Sequence, residues 1–214
     1  MFAGFLGKFW ERYADAPKGV KVVVLKAITN LRLRDIAGVA SCTYGTAKVM
    51  ASREKYKPLR EKVLRDFVEE LEEQVKGKAK KHWKRVAEEG VGLSSFDPTE
   101  DFPHVQIYSR ELRERLSERA SELLQLALKK AENPEEAFAL ADVAATFKWL
   151  SLGGSKSFSR VRWSFQGPVL AKAMEVMAEE VIAEGNEKLA SALLAGSSLV
   201  KSVIPLFKVE TNGK

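Results

Sequence analysis

Helical periodicity runs through most of the 214 residues, strand-like alternation is confined to one short stretch, and capping residues stand at the ends of successive apolar runs. Those three features predict an all-α fold: an N-terminal group of three helices, a long connecting helix and a C-terminal helical bundle. The composition agrees. With 45% apolar residues a chain of this length buries a sizeable core, and 30% charged residues keep its surface in water.

At the N-terminus, Phe2, Phe5, Leu6, Phe9, Trp10 and Tyr13 recur every three to four residues and form an aromatic stripe that ends before Pro17. A helix is expected from about Lys18 to Thr29, with Val20, Val23, Val24, Ala27 and Ile28 apolar, and two short helical pieces between Leu33 and Lys55. Pro58 suits a first helical turn, where the N–H it lacks would be unpaired anyway. From it a long helix runs to about Glu89, with Leu59, Val63, Phe67, Leu71, Val75, Ala79 and Val86 on one stripe. Residues 90–108 contain two Gly, two Pro and three acids, and read as a linker or lid.

The second half restarts at Ser109, an N-cap candidate, and continues through Leu112, Leu116, Ala120, Leu123 and Ala127 to near Asn133. Asn133, Pro134 and Glu136 then supply a cap, a first-turn proline and an N3 acid for a helix ending before Gly153-Gly154. The strand candidate is residues 157–165, SFSRVRWSF, where Ser159, Val161, Trp163 and Phe165 alternate with Arg160 and Arg162. Helices from Pro168 to Glu184 and from Asn186 to about Ile204, before Pro205, complete the chain. The expected domains are 1–57, 58–89, 90–108 and 109–214.

Several functional classes are disfavoured. The single thiol, Cys42, forms no intrachain disulfide. Cys42, His82 and His104 are the only soft ligands and lie apart in sequence, so neither a metal nor a cofactor is expected. GGSKS at 153–157 fails as a phosphate loop, because Ser155 precedes Lys156 and no strand leads into it. Leu189 to Val200, the longest uncharged apolar stretch near the C-terminus, is about 12 residues, short of the roughly 20 a membrane span needs. The N-terminus has no basic n-region. A cytoplasmic protein without a membrane partner is therefore expected. Four Asn and four Gln beside abundant Lys, Glu and Arg give it a thermophile-like composition.

The net charge of +6 is unevenly distributed. Residues 1–57 hold 11 basic and 4 acidic side chains, whereas 58–89 hold 9 and 8, 90–108 hold 0 and 3, and 109–214 hold 15 and 14. The excess thus sits in the first quarter of the chain, where a polyanion would be met.

Within that quarter lies LRDIAGVASCTYGTAKVMASR, residues 33–53. Ile36 and Ala37 form a large-then-small apolar pair, Ala40 ends the first helix, and Ser41 and Cys42 make the turn. Thr43 caps the second helix, whose inward residues are Ala47 and Met50. With the preceding helix, covering about residues 18–55, this resembles the helix-turn-helix of many bacterial and archaeal DNA-binding proteins. It departs from that pattern at Ser41, where the family most often has glycine, and at Ala47, where a branched residue is usual.

The resemblance implies a recognition helix whose outward residues, Thr43, Tyr44, Gly45, Lys48 and Ser52, enter the major groove. Arg32, Arg34, Arg53 and Lys55 then supply phosphate contacts, which position the protein without reading sequence. No hairpin pattern follows Arg53, so no wing is expected. The function this predicts is non-enzymatic: a double-stranded-DNA-binding, sequence-specific transcription regulator acting as a homodimer or higher homo-oligomer. The alternatives are an accessory DNA-binding protein of replication, partition or genome packaging, and a helical protein-interaction module without DNA binding.

Three weaker signals favour structural readings. KGKAKKHWKR, residues 76–85, suits a solvated helix end better than a phosphate grip with a stacking Trp83. Arg160 and Arg162 suit the exposed face of a half-buried strand better than a single-strand groove. His82, Arg85, His104 and Tyr108 imitate the residues of tyrosine recombinases, but at compressed spacings, and no catalytic role is assigned to them.

Overall fold

The computed structural model describes residues 2–89 and 96–207. Among them are nine α-helices and no strand: α1 (Gly4–Glu11), α2 (Lys18–Ile28), α3 (Leu33–Val39), α4 (Tyr44–Ser52), α5 (Lys57–Glu89), α6 (Arg110–Lys129), α7 (Pro134–Ser151), α8 (Phe158–Ala183) and α9 (Glu187–Phe207). The protein is all-α. It forms two compact units that each draw on separate stretches of chain: Met1–Glu73, Pro98–Ser117 and Leu150–Gly154 in the first, Gln74–Asp97, Glu118–Trp149 and Ser155–Lys214 in the second.

In the first unit the aromatic stripe of α1 is core. Phe5 and Phe9 meet the ring of Phe67 edge-on at 5.0 and 4.9 Å, and Phe67 meets Tyr108 at 5.7 Å. Such pairs add about 0.5–1.5 kcal/mol each beyond the area they bury. The Tyr108 phenol, 1% exposed, is pushed well above its ordinary pKa by burial, and its ring packs in the core. Residues 98–108 are not a solvated lid. They form two short 3-10 turns, bury Phe102, Val105 and Tyr108, and bond to the end of α2 through Asn30 N–H to Ile107 O (2.7 Å) and Ser109 N–H to Ile28 O (3.1 Å). Residues 90–95 of the expected linker lie outside the described residues. Ser109 Oγ accepts from Leu112 N–H at 3.0 Å, and Asn133 Oδ1 from Glu136 N–H at 3.2 Å, so both expected caps are made.

The second unit corrects the strand expected at 157–165. That stretch belongs to one helix, α8, which continues through Pro168. The physical reason is a buried carboxylate. Asp142, fully buried on α7, accepts from Arg162 Nε (2.7 Å) and Nη2 (3.0 Å), from Gln166 Nε2 (2.8 Å) and from Trp83 Nε1 (2.8 Å). Positions 162 and 166 are about 5–6 Å apart on a helix face but roughly 13 Å apart along a strand, so only a helix brings both to one carboxylate. Arg162 is therefore not on a solvated face, and Trp83, stacked on Phe138 at 4.8 Å, is not free to stack on bases.

α9 also runs further than expected, through Pro205 to Phe207. Within its 21 residues an 18-residue window has a mean hydropathy of 1.6 and is only 11% buried, so α9 has the length and composition of a membrane span, which Leu189 to Val200 alone lacked.

His82 lies beside this network with Nε2 buried and unpaired. Burial lowers its pKa below 6.5, against the raising influence of Asp142. The unfolded chain therefore binds the proton first as pH falls, so stability present above pH 6.5 declines below it toward the folded-state pKa. Thermal unfolding followed across pH 7.5 to about 5 is expected to show a falling Tm, and His82→Gln to flatten that decline.

Candidate nucleic-acid interface

The α3–α4 junction is built by a left-handed cap. Ser41 has φ 52°, and it is the one non-glycine residue in that region among the described residues. With Ser41 there, Ser41 N–H reaches Gly38 O (3.2 Å) and Cys42 N–H reaches Ala37 O (2.9 Å), the paired bonds that satisfy the last carbonyls of a helix. Four residues, 40–43, join α3 to α4. Thr43 then starts α4, its Oγ1 accepting from Thr46 N–H at 3.2 Å.

The helices close on small side chains. Val22 and Leu25 of α2 pack with Ile36, Ala37, Ala40 and Ala47 in one buried cluster, with Cys42 and Met50 against its edge. Ala47 is the single fully buried residue of α4. A larger side chain there would hold α4 away from α2 and α3. With Ala47 buried and Met50 and Ala51 at the edge of the cluster, Tyr44, Gly45, Lys48, Val49 and Ser52 are left turned outward.

All nine residues assigned to DNA from the sequence are exposed: Arg32, Arg34, Thr43, Tyr44, Gly45, Lys48, Ser52, Arg53 and Lys55. Their roles differ. Tyr44 is 50% exposed and carries the Arg34 guanidinium over its ring at 6.0 Å, which orients both. Lys48 points to solvent from the middle of α4, and Gly45 has open space around it. Thr43 is occupied as a cap, and its hydroxyl also meets the Thr46 hydroxyl at 2.9 Å. Ser52 donates to the carbonyls of Lys48 and Val49 at 3.1 and 3.2 Å, leaving only acceptor capacity. Arg53 borders a polar cavity of about 380 Å³ shared with Lys26, Lys57, Arg60, Glu61 and Glu111. Lys55 sits over the Tyr56 ring at 5.0 Å.

One residue was missed from the sequence. Val49 is 47% exposed on the same face as Gly45, Lys48 and Ser52. Its signal was positional, since inward Ala47 and Met50 leave 45, 48, 49 and 52 together on the far side. α4 has no acidic side chain, and after Arg53 comes a single 3-10 turn, Glu54–Tyr56, leading directly into α5. No wing is formed there.

The other basic segments offer less. In 76–85, Lys78, Lys80, Lys81, Lys84 and Arg85 are exposed while His82 and Trp83 are buried, the pattern of a solvated helix face. No family model, curated protein or solved structure matches the chain.

Because Ser41 holds a left-handed conformation that costs a side-chain-bearing residue about 1 kcal/mol, Ser41→Gly is expected to leave the fold intact and stabilise it by up to about 1 kcal/mol in urea unfolding.

Proposed function

We propose that this protein binds double-stranded DNA through α4 and acts as a sequence-specific transcription regulator, working as a dimer. The observation that carries the reading is the division of α4 itself. Ala47 anchors it with Met50 and Ala51 at the edge of the core, while Tyr44 and Gly45 stand outward at its N-terminal end, the part of a recognition helix that reaches base edges, and Lys48 and Val49 stand outward one turn further along. Lys48 offers a donor to guanine or phosphate, Val49 an apolar surface for a thymine methyl, and Tyr44 a hydroxyl held in place by Arg34. Arg32, Arg53 and Lys55 flank the helix as phosphate contacts, consistent with the cationic excess of residues 1–57.

Selection from random duplex DNA, followed by retention assays at several salt concentrations, tests this. Enrichment of one sequence is expected. Tyr44→Ala should relax the preference, whereas Lys48→Ala with Arg53→Ala should weaken every duplex and lower the salt slope by about two phosphate contacts. A double variant that binds as tightly as wild type contradicts the assignment.

Gly45→Ala separates binding from folding. An added Cβ meets only Thr43 Oγ1, at 4.0 Å, so the change should stabilise α4 by roughly 1 kcal/mol. The same methyl occupies the space where backbone approaches the groove floor. Higher stability with weaker duplex retention is the expected pair of results.

A further inference from the structure

The joint between α4 and α5 carries an open polar cavity. Val23 and Lys26 of α2 form one wall, Ser52 and Arg53 at the end of α4 a second, and Tyr56 with the first turn of α5 a third. Every wall lies in the first unit. Gly19 makes room for the joint, since a Cβ there would stand 2.7 Å from the Tyr56 hydroxyl. The volume of about 380 Å³ falls at the lower end of the roughly 300–1,000 Å³ of small-molecule sites, so the cavity suits a ligand of metabolite size.

Seven charged side chains line it, and the balance depends on which of them are already paired. Glu111 is taken by Arg60, and Glu61 by Arg115 of α6. Lys26, Arg53, Lys57 and Glu54 are exposed, and among the described residues their side chains have no hydrogen-bond or ion-pair partner. Three unpaired cations against one unpaired acid leave a surplus of two positive charges. Lys55, over the Tyr56 ring at 5.0 Å, is a further cation just outside the lining.

The three free cations come from three places, α2, the end of α4 and the start of α5, and so suit a tetrahedral anion better than a planar one. A phosphomonoester carries about −1.5 to −2 charges at pH 7 and three strong acceptor oxygens, whereas a carboxylate offers two oxygens in one plane. Arg53 can grip two of those oxygens at once, and the lysines act as point charges. The other polar groups call for donors on the ligand. Ser52 Oγ spends its proton on the carbonyls of Lys48 and Val49, at 3.1 and 3.2 Å, and the Glu54 carboxylate only accepts. Hydroxyl groups supply such donors, while a second acid on the ligand would face Glu54.

We infer that the cavity is an effector site for a small hydroxylated phosphomonoester, a sugar phosphate by class, gripped by Lys26, Arg53 and Lys57. Arg53 is also a phosphate contact in the proposed DNA complex, so the bound ligand withdraws it from the duplex. That consequence rests on the DNA reading; the binding does not.

Calorimetric titration of the full chain with ribose 5-phosphate tests the binding without DNA, at about 0.1 M salt, where distant charges are screened. One site per chain with a Kd of about 1 mM or below is expected, and ribose itself should give no binding. Lys26→Gln with Lys57→Gln should weaken binding at least about 10-fold with unchanged helical circular dichroism, and Glu54→Gln should tighten it by about 2- to 5-fold. Lys80→Gln with Lys81→Gln removes the same charge from the solvated face of α5 and should leave the affinity within about 2-fold. Equal weakening by the two double variants, tighter binding of succinate than of ribose 5-phosphate, or no binding at about 10 mM would overturn the site. Duplex retention is read separately. Saturating ribose 5-phosphate should weaken it several-fold and lower the salt slope by about one phosphate contact. Retention unchanged with the ligand bound overturns the regulatory consequence, and a chain that binds the ligand but no duplex removes the DNA reading alone.

Discussion

One carboxylate organises the second unit. Asp142 has lost its water completely, and a buried charge persists only if its hydrogen bonds are replaced by fixed donors. Trp83 of α5 and Arg162 and Gln166 of α8 supply them, so three helices are tied to one side chain. Removing it would strand the Arg162 guanidinium, which is only 11% exposed, a type of loss that costs on the order of 3–5 kcal/mol. The same bonds orient α8, and α9 is laid along α8. The exposed face of α9 is thus a downstream consequence of a buried aspartate.

The first unit uses the opposite means. Its three small helices, α2 to α4, meet through alanines and a left-handed cap, with no buried charge among the cluster. Small side chains permit close crossing, and close crossing leaves α4 with one buried residue. A helix anchored so lightly gives most of its surface to solvent, which a core helix cannot do.

Helix positions were legible wherever the signal was local. Ser109, Asn133 and the glycine pair at 153–154 marked ends that the structure reproduces, because capping is decided within one turn of the chain. Residues 157–165 were misread because alternating serines and arginines imitate a strand, and nothing nearby in sequence announces that Arg162 and Gln166 share a distant carboxylate. Pro168 and Pro205 suggested helix ends for a similar reason. Proline costs about 3 kcal/mol inside a helix, and packing of its neighbours, Gly167 and Val169 among them, offsets that only after the helices have met. The candidate site was more readable. Turn, cap and inward positions lie within about twenty residues, so Ser41, Thr43 and Ala47 could be placed in order, and only Val49 escaped.

By itself, then, the sequence determined the helical class, the caps, the position of the cationic excess and the outward residues of α4, since each depends on neighbours within a turn or two. Tertiary structure alone decided which polar side chains are buried, that Trp83 and Arg162 serve Asp142 and not a ligand, and which face of α9 remains bare. Those outcomes depend on contacts between residues tens of positions apart, and local periodicity carries no record of them.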